Sequence, residues 1–266
     1  MDQILSMKKP ATIASMRSYV RKMDRHLGGY PLSDLNEGLI QKHISLISKE
    51  LTPRATRNYW GVFRLILSRA KKEGLIQSVP EPVLPRGGAR PQPYLTLEQM
   101  RELSRRDLLW AVFSETGGRA GEVFGLKPQD IDFRNQTLTV NRSVYNGTTQ
   151  DPKTANAFRV ISLSRRLVCR IQSEPTGHNF LFETHLGTPK RQNQTIGALH
   201  RELGRVAGFH SFRRGNATLL SKIGAPIKVI SYRHGRSTGN LTVDSYIQYE
   251  PGEDREWAEK LGEILA

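Results

Sequence analysis

The sequence predicts an α+β protein, mostly helical. An all-α bundle covers residues 1–80, a proline- and glycine-rich basic linker covers 81–93, and a mixed α/β domain with a small antiparallel sheet runs from 94 to 266. Three observations carry this reading. Apolar residues recur at helical spacing through the first third of the chain. Five prolines and two glycines then crowd the 15 residues of Val79–Pro93, a composition that neither a helix nor a central strand tolerates. Beyond residue 130, Ile131–Val140 and Arg159–Leu163 alternate and are rich in β-branched residues, which marks strands.

The elements follow in order. Ile13, Met16, Val20, Met23 and Leu27 fall at steps of three and four and predict a helix over 12–27, which Gly28-Gly29-Tyr30-Pro31 ends. Ile40, Ile44, Ile47 and Leu51 share one stripe of a second helix over about 36–50. Thr52-Pro53 is a good start for a third, a capping threonine before a proline at the first helical position. That helix places Tyr59, Val62, Phe63, Ile66, Leu67 and Ala70 at helical spacing. After the linker, Thr96-Leu97-Glu98 starts a helix with a threonine cap and an acidic first turn, and Leu108–Ser114 is a buried helix. Thr116–Glu122 breaks it, and Val123–Leu126 resumes a helix that Pro128 ends. Asn146-Gly147 signals a turn between the two strands. After Ser164 the chain reads as helical again, with interruptions near Pro175–His178 and Gly187–Pro189. Trp257, Leu261, Ile264 and Leu265 give a stripe on a last helix over 253–265.

Composition narrows the function. The chain has 266 residues, 37% hydrophobic and 24% charged, enough for one large or two modest cores. Its net charge is +15 and its isoelectric point about 10.2, which points to a polyanionic partner. A membrane is not the expected partner: the apolar run Leu108–Phe113 is far below the roughly 20 residues a span needs. Nor does the Met1–Pro10 segment carry the apolar stretch of a secretion signal. With Cys169 alone, an intrachain disulfide and a thiolate zinc site are excluded, which fits a cytoplasmic, DNA-associated protein. Residues 1–90 carry 16 Lys and Arg against seven Asp and Glu, so the first third is the denser cationic part. Arg17 and Arg21 on the first helix and Arg54, Arg57 and Arg64 on the third lie off the apolar stripes, open to a phosphate backbone; Arg86 and Arg90 sit on the linker, which either lies along DNA or is a solvated tether.

No phosphate-binding or dinucleotide glycine loop occurs, and no cofactor is expected. Asp130 and Asp132 would share a strand face, but a third carboxylate in register is missing and they read as structural; His178, His185 and His200 have no ligand spacing. The chemistry concentrates between His210 and Tyr246. A histidine and an arginine one helical turn apart precede a basic knot, Arg233-His234-Gly235-Arg236, and then a tyrosine. Cations can clamp a phosphate, and a tyrosine hydroxyl can attack one.

Thr116-Gly-Gly-Arg119-Ala-Gly-Glu122 resembles the first-arginine box of the tyrosine recombinase (phage integrase) family. His210-Ser-Phe-Arg213 resembles its second box, Tyr246 stands where the family places its nucleophile, and Lys153 falls where it carries a lysine in a β-hairpin turn. Residues 11–80 look like the family's helical core-binding domain, and residues 94–266 like its catalytic domain. The resemblance implies a Tyr246 attack on a DNA phosphodiester, with Arg119 and Arg213 on the non-bridging oxygens. Lys153 would protonate the leaving oxygen, and His210 would handle the tyrosine proton or orient the phosphate. Arg236, or alternatively His234, would complete the set; Tyr249 and, more weakly, Tyr232 are rival nucleophiles, and Glu122 would orient an active-site residue. The implied partners are double-stranded DNA and three further copies of the chain on two DNA sites, with the last helix docking on a neighbour or in cis. The alternatives are a type IB topoisomerase-like activity and a non-catalytic DNA-binding protein on the same fold. The family's separate arm-binding domain is expected to be absent, because the core-binding pattern starts near residue 11.

Overall fold

A computed structural model describes residues 10–87, 93–145, 147–150, 158–204, 207–235 and 252–266. The chain divides into two compact units, residues 1–90 and 91–266.

The first unit is all-α. Helices α1 (Pro10–Leu27), α2 (Glu37–Glu50) and α3 (Pro53–Lys72) turn their apolar stripes onto one core of Met23, Leu27, Ile40, Ile44, Ile47, Tyr59, Trp60, Phe63 and Leu67. The helix starts are chemically marked. The Asn36 side chain accepts from the Leu39 N–H at 3.0 Å, and the Thr52 hydroxyl accepts from the Ala55 N–H at 3.3 Å, so each satisfies a donor that the first turn leaves orphaned. Residues 79–87 of the proline-rich segment form neither helix nor strand, yet they are no free tether. Val79 and Leu84 pack on the helical core, Val83 exchanges two hydrogen bonds with the Gln41 side chain, and Arg57 donates to the Pro85 carbonyl at 2.8 Å.

The second unit is mixed. Helices α4 (Leu97–Arg106), α5 (Leu108–Thr116) and α6 (Ala120–Phe124) precede the strands, and α5 is buried along its whole length. Strands β1 (Ile131–Asp132), β2 (Thr137–Val140) and β5 (Arg159–Ser162) form an antiparallel sheet in the order β1-β2-β5, with Leu138 opposite both Ile131 and Ile161. Strands β3 (Ser143–Tyr145) and β4 (Thr148–Gln150) form a separate hairpin. Helices α7 (Arg165–Ser173), α8 (Gln192–Leu203), α9 (Phe209–Lys222), α10 (Ile227–Arg233) and α11 (Arg255–Ile264) complete the unit. Helix α9 runs through the middle. Its Phe209 and Phe212 join Trp110, Phe113 and Phe124 in one aromatic cluster, where Trp110 and Phe212 stack at 5.5 Å and 5°.

Two expectations need correction. The single strand over Ile131–Val140 is a hairpin of two. The Asp132 carboxylate accepts from the Asn135 N–H at 2.8 Å and its side-chain amide at 2.7 Å, and Gln136 takes the left-handed conformation at φ 51°, which folds the alternating run back on itself. The chain between Glu174 and Arg191 is not helical. There the Glu183 carboxylate accepts from the backbone N–H groups of His178, Asn179 and Phe180, at 2.9–3.0 Å, and so organises a loop.

Candidate active site

The site is built around one turn, the end of α10 at Arg233-His234-Gly235. A helix end leaves carbonyls without intrahelical partners. Here three arginines from three other elements donate to three successive carbonyls. Arg159 of β5 donates through Nε to the Arg233 carbonyl at 2.8 Å. Arg213 of α9 donates through Nη2 to the His234 carbonyl. Arg119, just before α6, donates through Nη2 to the Gly235 carbonyl at 3.1 Å.

Arg213 sits in α9 one turn after His210, flanked by the wholly buried Phe212, and is itself 2% exposed. Its Nη1 donates to the Gly117 carbonyl at 3.0 Å, so one guanidinium ties α9 both to the loop after α5 and to the turn after α10. Gly117 ends α5 in the left-handed conformation, φ 59°, where an added Cβ would lie 2.6 Å from His234 Nε2 and 2.8 Å from Asn216 Oδ1. Both strain and clash therefore demand glycine there. Asn216, one turn after Arg213, donates its amide to the Ser114 and Glu115 carbonyls and bonds the His234 ring at 2.8 Å. His234 is 3% exposed and braces the turn against α9.

Arg119 differs from Arg213 in access. Its side chain is 38% exposed, open to an incoming anion. Glu122 holds it from behind: the carboxylate accepts from the Arg119 backbone N–H at 2.9 Å and from Nη1 at 2.6 Å. Glu122 Oε2, which takes the Arg119 N–H, also accepts from Arg159 Nη2 at 2.9 Å. Burial alone would raise the Glu122 carboxyl, but Arg159 and Arg119 outweigh it and hold it below the usual carboxylate range.

A second layer lies beneath the turn. Arg233 is wholly buried; its Nη1 donates to Asp254 and to the Ser162 carbonyl, and its Nη2 to the Glu115 carbonyl. Asp254 also accepts from the Ser162 N–H at 2.9 Å, which ties the start of α11 to β5. Glu115 accepts from the Ser164 N–H and hydroxyl at 2.6 and 2.7 Å, and burial pushes its carboxyl up to about 7. Tyr232 accepts from the Val160 N–H at 3.3 Å, and burial raises its hydroxyl above the ordinary phenol range; both weaken it as a nucleophile.

The structure thus brings Arg119, Arg213 and His234 together. His210 is exposed in the first turn of α9, on the same helix as Arg213. Lys153, Arg236, Tyr246, Tyr249 and Arg90 lie outside the described residues. Arg17, Arg21, Arg54, Arg57, Arg64 and Arg86 are all exposed on the helical unit; Arg57 holds the Pro85 carbonyl, and Arg64 stands 3.8 Å from Glu81. Asp130 and Asp132 serve turns, Asp130 pairing with Arg142, and among the described residues no group of acidic, histidine and cysteine side chains could hold a metal. No described helix is long and apolar enough to cross a membrane. Sequence reasoning missed Arg159, Arg233 and Asp254. Arg159 could have been found by parity, because it shares the inward face of its strand with Ile161.

The family profile described as Phage integrase family matches residues 96–252, more than half of the chain and all of the turn and its arginines. The chain belongs to the phage integrase family. Among curated relatives of this integrase-family chain, the Tyrosine recombinase XerC-like protein of Caldanaerobacter subterraneus subsp. tengcongensis is 25% identical over 184 residues, covering 56% of the chain and 47% of the relative. The Integrase of Staphylococcus phage L54a is 25% identical over 175 residues, covering 56% and 49%. The chain spans about half the length of these relatives. Among solved structures, the Tn1549 transposon integrase in complex with a circular intermediate DNA superposes with TM-score 0.76 at 19% identity, over 97% of this chain and 95% of that one. A lambda integrase dimer bound to a COC′ core site gives TM-score 0.68 at 17% identity, over 93% and 95%. The integrase-family fold is therefore shared along almost the whole chain, helical unit included.

Proposed function

We propose that the protein breaks and rejoins duplex DNA at specific sites through a covalent 3′-phosphotyrosine, the chemistry of site-specific recombination. The observation that carries the reading is the meeting of Arg119 and Arg213 on adjacent carbonyls of one turn, with the Arg119 side chain still open to solvent. The open Arg119 guanidinium suits a non-bridging oxygen of a phosphodiester and counters the charge that builds on phosphorus, while the buried Arg213 fixes the turn that Arg119 meets. The names of the relatives, recombinase and integrase, support the same class, as do the DNA complexes of the structural neighbours.

In this scheme the Tyr246 oxygen attacks phosphorus and the bond to the 5′-oxygen breaks. Lys153 gives that oxygen a proton, and His210 takes the tyrosine proton or orients the phosphate. Arg236 or His234 supplies the remaining cation. The phosphotyrosine keeps the energy of the broken bond, so a 5′-hydroxyl from another strand reseals it without ATP. The exposed arginines of the helical unit grip the duplex backbone. Four protomers on two DNA sites are the assembly we propose. Helix α11 docks on its own unit here, burying Ala258 and Leu261, so an exchange of that helix between protomers would begin by undocking it.

The test is a nicked suicide duplex, selected for binding from a random library and incubated with wild type, Tyr246→Phe and Tyr249→Phe. A covalent band lost only in Tyr246→Phe is the expected result. A band lost only in Tyr249→Phe moves the nucleophile. No band from wild type on a duplex it binds contradicts the reading.

A further inference from the structure

We propose that Arg159 is a positioning residue for strand breakage, acting through Glu122 on Arg119; the inference rests on the proposed function. Arg159 has no route to DNA of its own. Its side chain is 1% exposed and lies on the inward face of β5. An apolar residue would fill such a position without desolvation, whereas a buried guanidinium is costly unless its charge and bonds are used. Two of its bonds reach opposite walls of the site. Nη2 holds the Glu122 carboxylate at 2.9 Å, and Nε holds the Arg233 carbonyl at 2.8 Å.

The consequence is geometric. Glu122 aims the Arg119 fork, and Arg159 decides where the Glu122 carboxylate stands. The Arg233 carbonyl begins the run of three that Arg213 and Arg119 continue. One planar side chain thus sets the spacing between the wall that carries Arg119 and the turn that receives it. Lysine keeps the charge, but its single ammonium lacks the fork that spans both walls.

The same contacts give a signature beyond rate. The described charged groups facing Glu122 are Arg119, from the start of its own helix, and Arg159, from the sheet; Tyr232 stands beside Arg159. Removing Arg159 deletes the stronger of the two charges that hold Glu122 ionised, while the burial that raises it remains. The Glu122 pKa therefore rises, and as pH falls through the new value the carboxylate protonates and releases the Arg119 fork.

The experiment measures covalent-complex formation on saturating nicked duplex across pH, with duplex affinity measured in parallel, for wild type, Arg159→Lys, Arg159→Gln and Arg159→Gln/Glu122→Gln. Misplacing a group by about 1 Å costs on the order of 100-fold in rate. Arg159→Gln should bind duplex as wild type does, form the complex about 10- to 100-fold more slowly, and gain an acidic limb in its pH profile. Arg159→Lys should fall between the two, and the double variant should lose the acidic limb. If Arg159→Gln does not fold, Arg159→Lys carries the test, with slowed chemistry at full affinity required. A wild-type pH profile in a slowed Arg159 variant, or affinity and rate falling together, would overturn the inference alone. Absence of any wild-type complex would overturn the function on which it rests.

Discussion

The helical unit buries one imidazole against one phenol, whereas the second unit buries three arginines and four carboxylates among its described residues. In the helical unit burial holds His43 down to about 4, so its ring is neutral and shares a short hydrogen bond with Tyr59. Its described candidate DNA-contacting arginines all face outward. In the second unit Arg159, Arg213 and Arg233 are wholly or almost wholly buried, with Glu115, Glu122 and Asp254 as their neighbours. Buried ion pairs are poor sources of stability, because desolvation consumes most of the Coulomb gain. The contrast therefore separates two uses of charge. Outward charge attracts a polyanion, and inward charge fixes the direction of a few groups that must act on it.

Removing one member of an inward pair should have the largest effect. Asp254→Ala leaves the Arg233 guanidinium buried without its counter-charge and should cost the second unit about 3–5 kcal/mol, read from denaturant unfolding. A loss of about 0–1 kcal/mol, typical of exposed pairs, would place Arg233 in contact with water and blur the contrast.

A smaller effect follows from Glu115. Its carboxyl is raised to about 7 by burial, above its ordinary 4.5, so the folded state binds the proton more tightly than the unfolded chain. The stabilisation is complete at low pH and is lost as pH rises from 4.5 toward 7. Glu115→Gln should flatten that slope in a pH series of unfolding midpoints, and an unchanged slope would mean that another group titrates there.

The smallest effect should come from outward charge. Arg17→Ala and Arg54→Ala should leave stability unchanged and weaken duplex binding across sequences. The slope of log K against log salt should become shallower by about 0.9 for each phosphate that the variant no longer neutralises. Sequence-selective weakening instead would assign these arginines to base edges.

The same contrast explains what the sequence disclosed. Helices α1 to α3 were legible to within a few residues, because one apolar stripe with capped ends specifies a surface helix. The β1–β2 hairpin was not, because its alternation runs unbroken through a turn that rests on Gln136 adopting a positive φ. The boxes around Arg119 and Arg213 were legible as motifs. Their shared turn was not, because it is assembled from backbone carbonyls that every residue carries. Arg159 and Arg233 were passed over for a related reason: arginine normally marks surface, and only their partners on distant elements make them interior residues.

The most direct test of the division between inward and outward charge is single-turnover formation of the covalent complex by Arg213→Lys on saturating nicked duplex. Lysine keeps the charge but loses the fork that joins the Gly117 and His234 carbonyls. The rate should fall on the order of 100- to 1,000-fold, with duplex affinity and its salt slope unchanged. A full rate at saturation, with the loss confined to affinity, would make Arg213 another DNA-gripping cation and contradict the account.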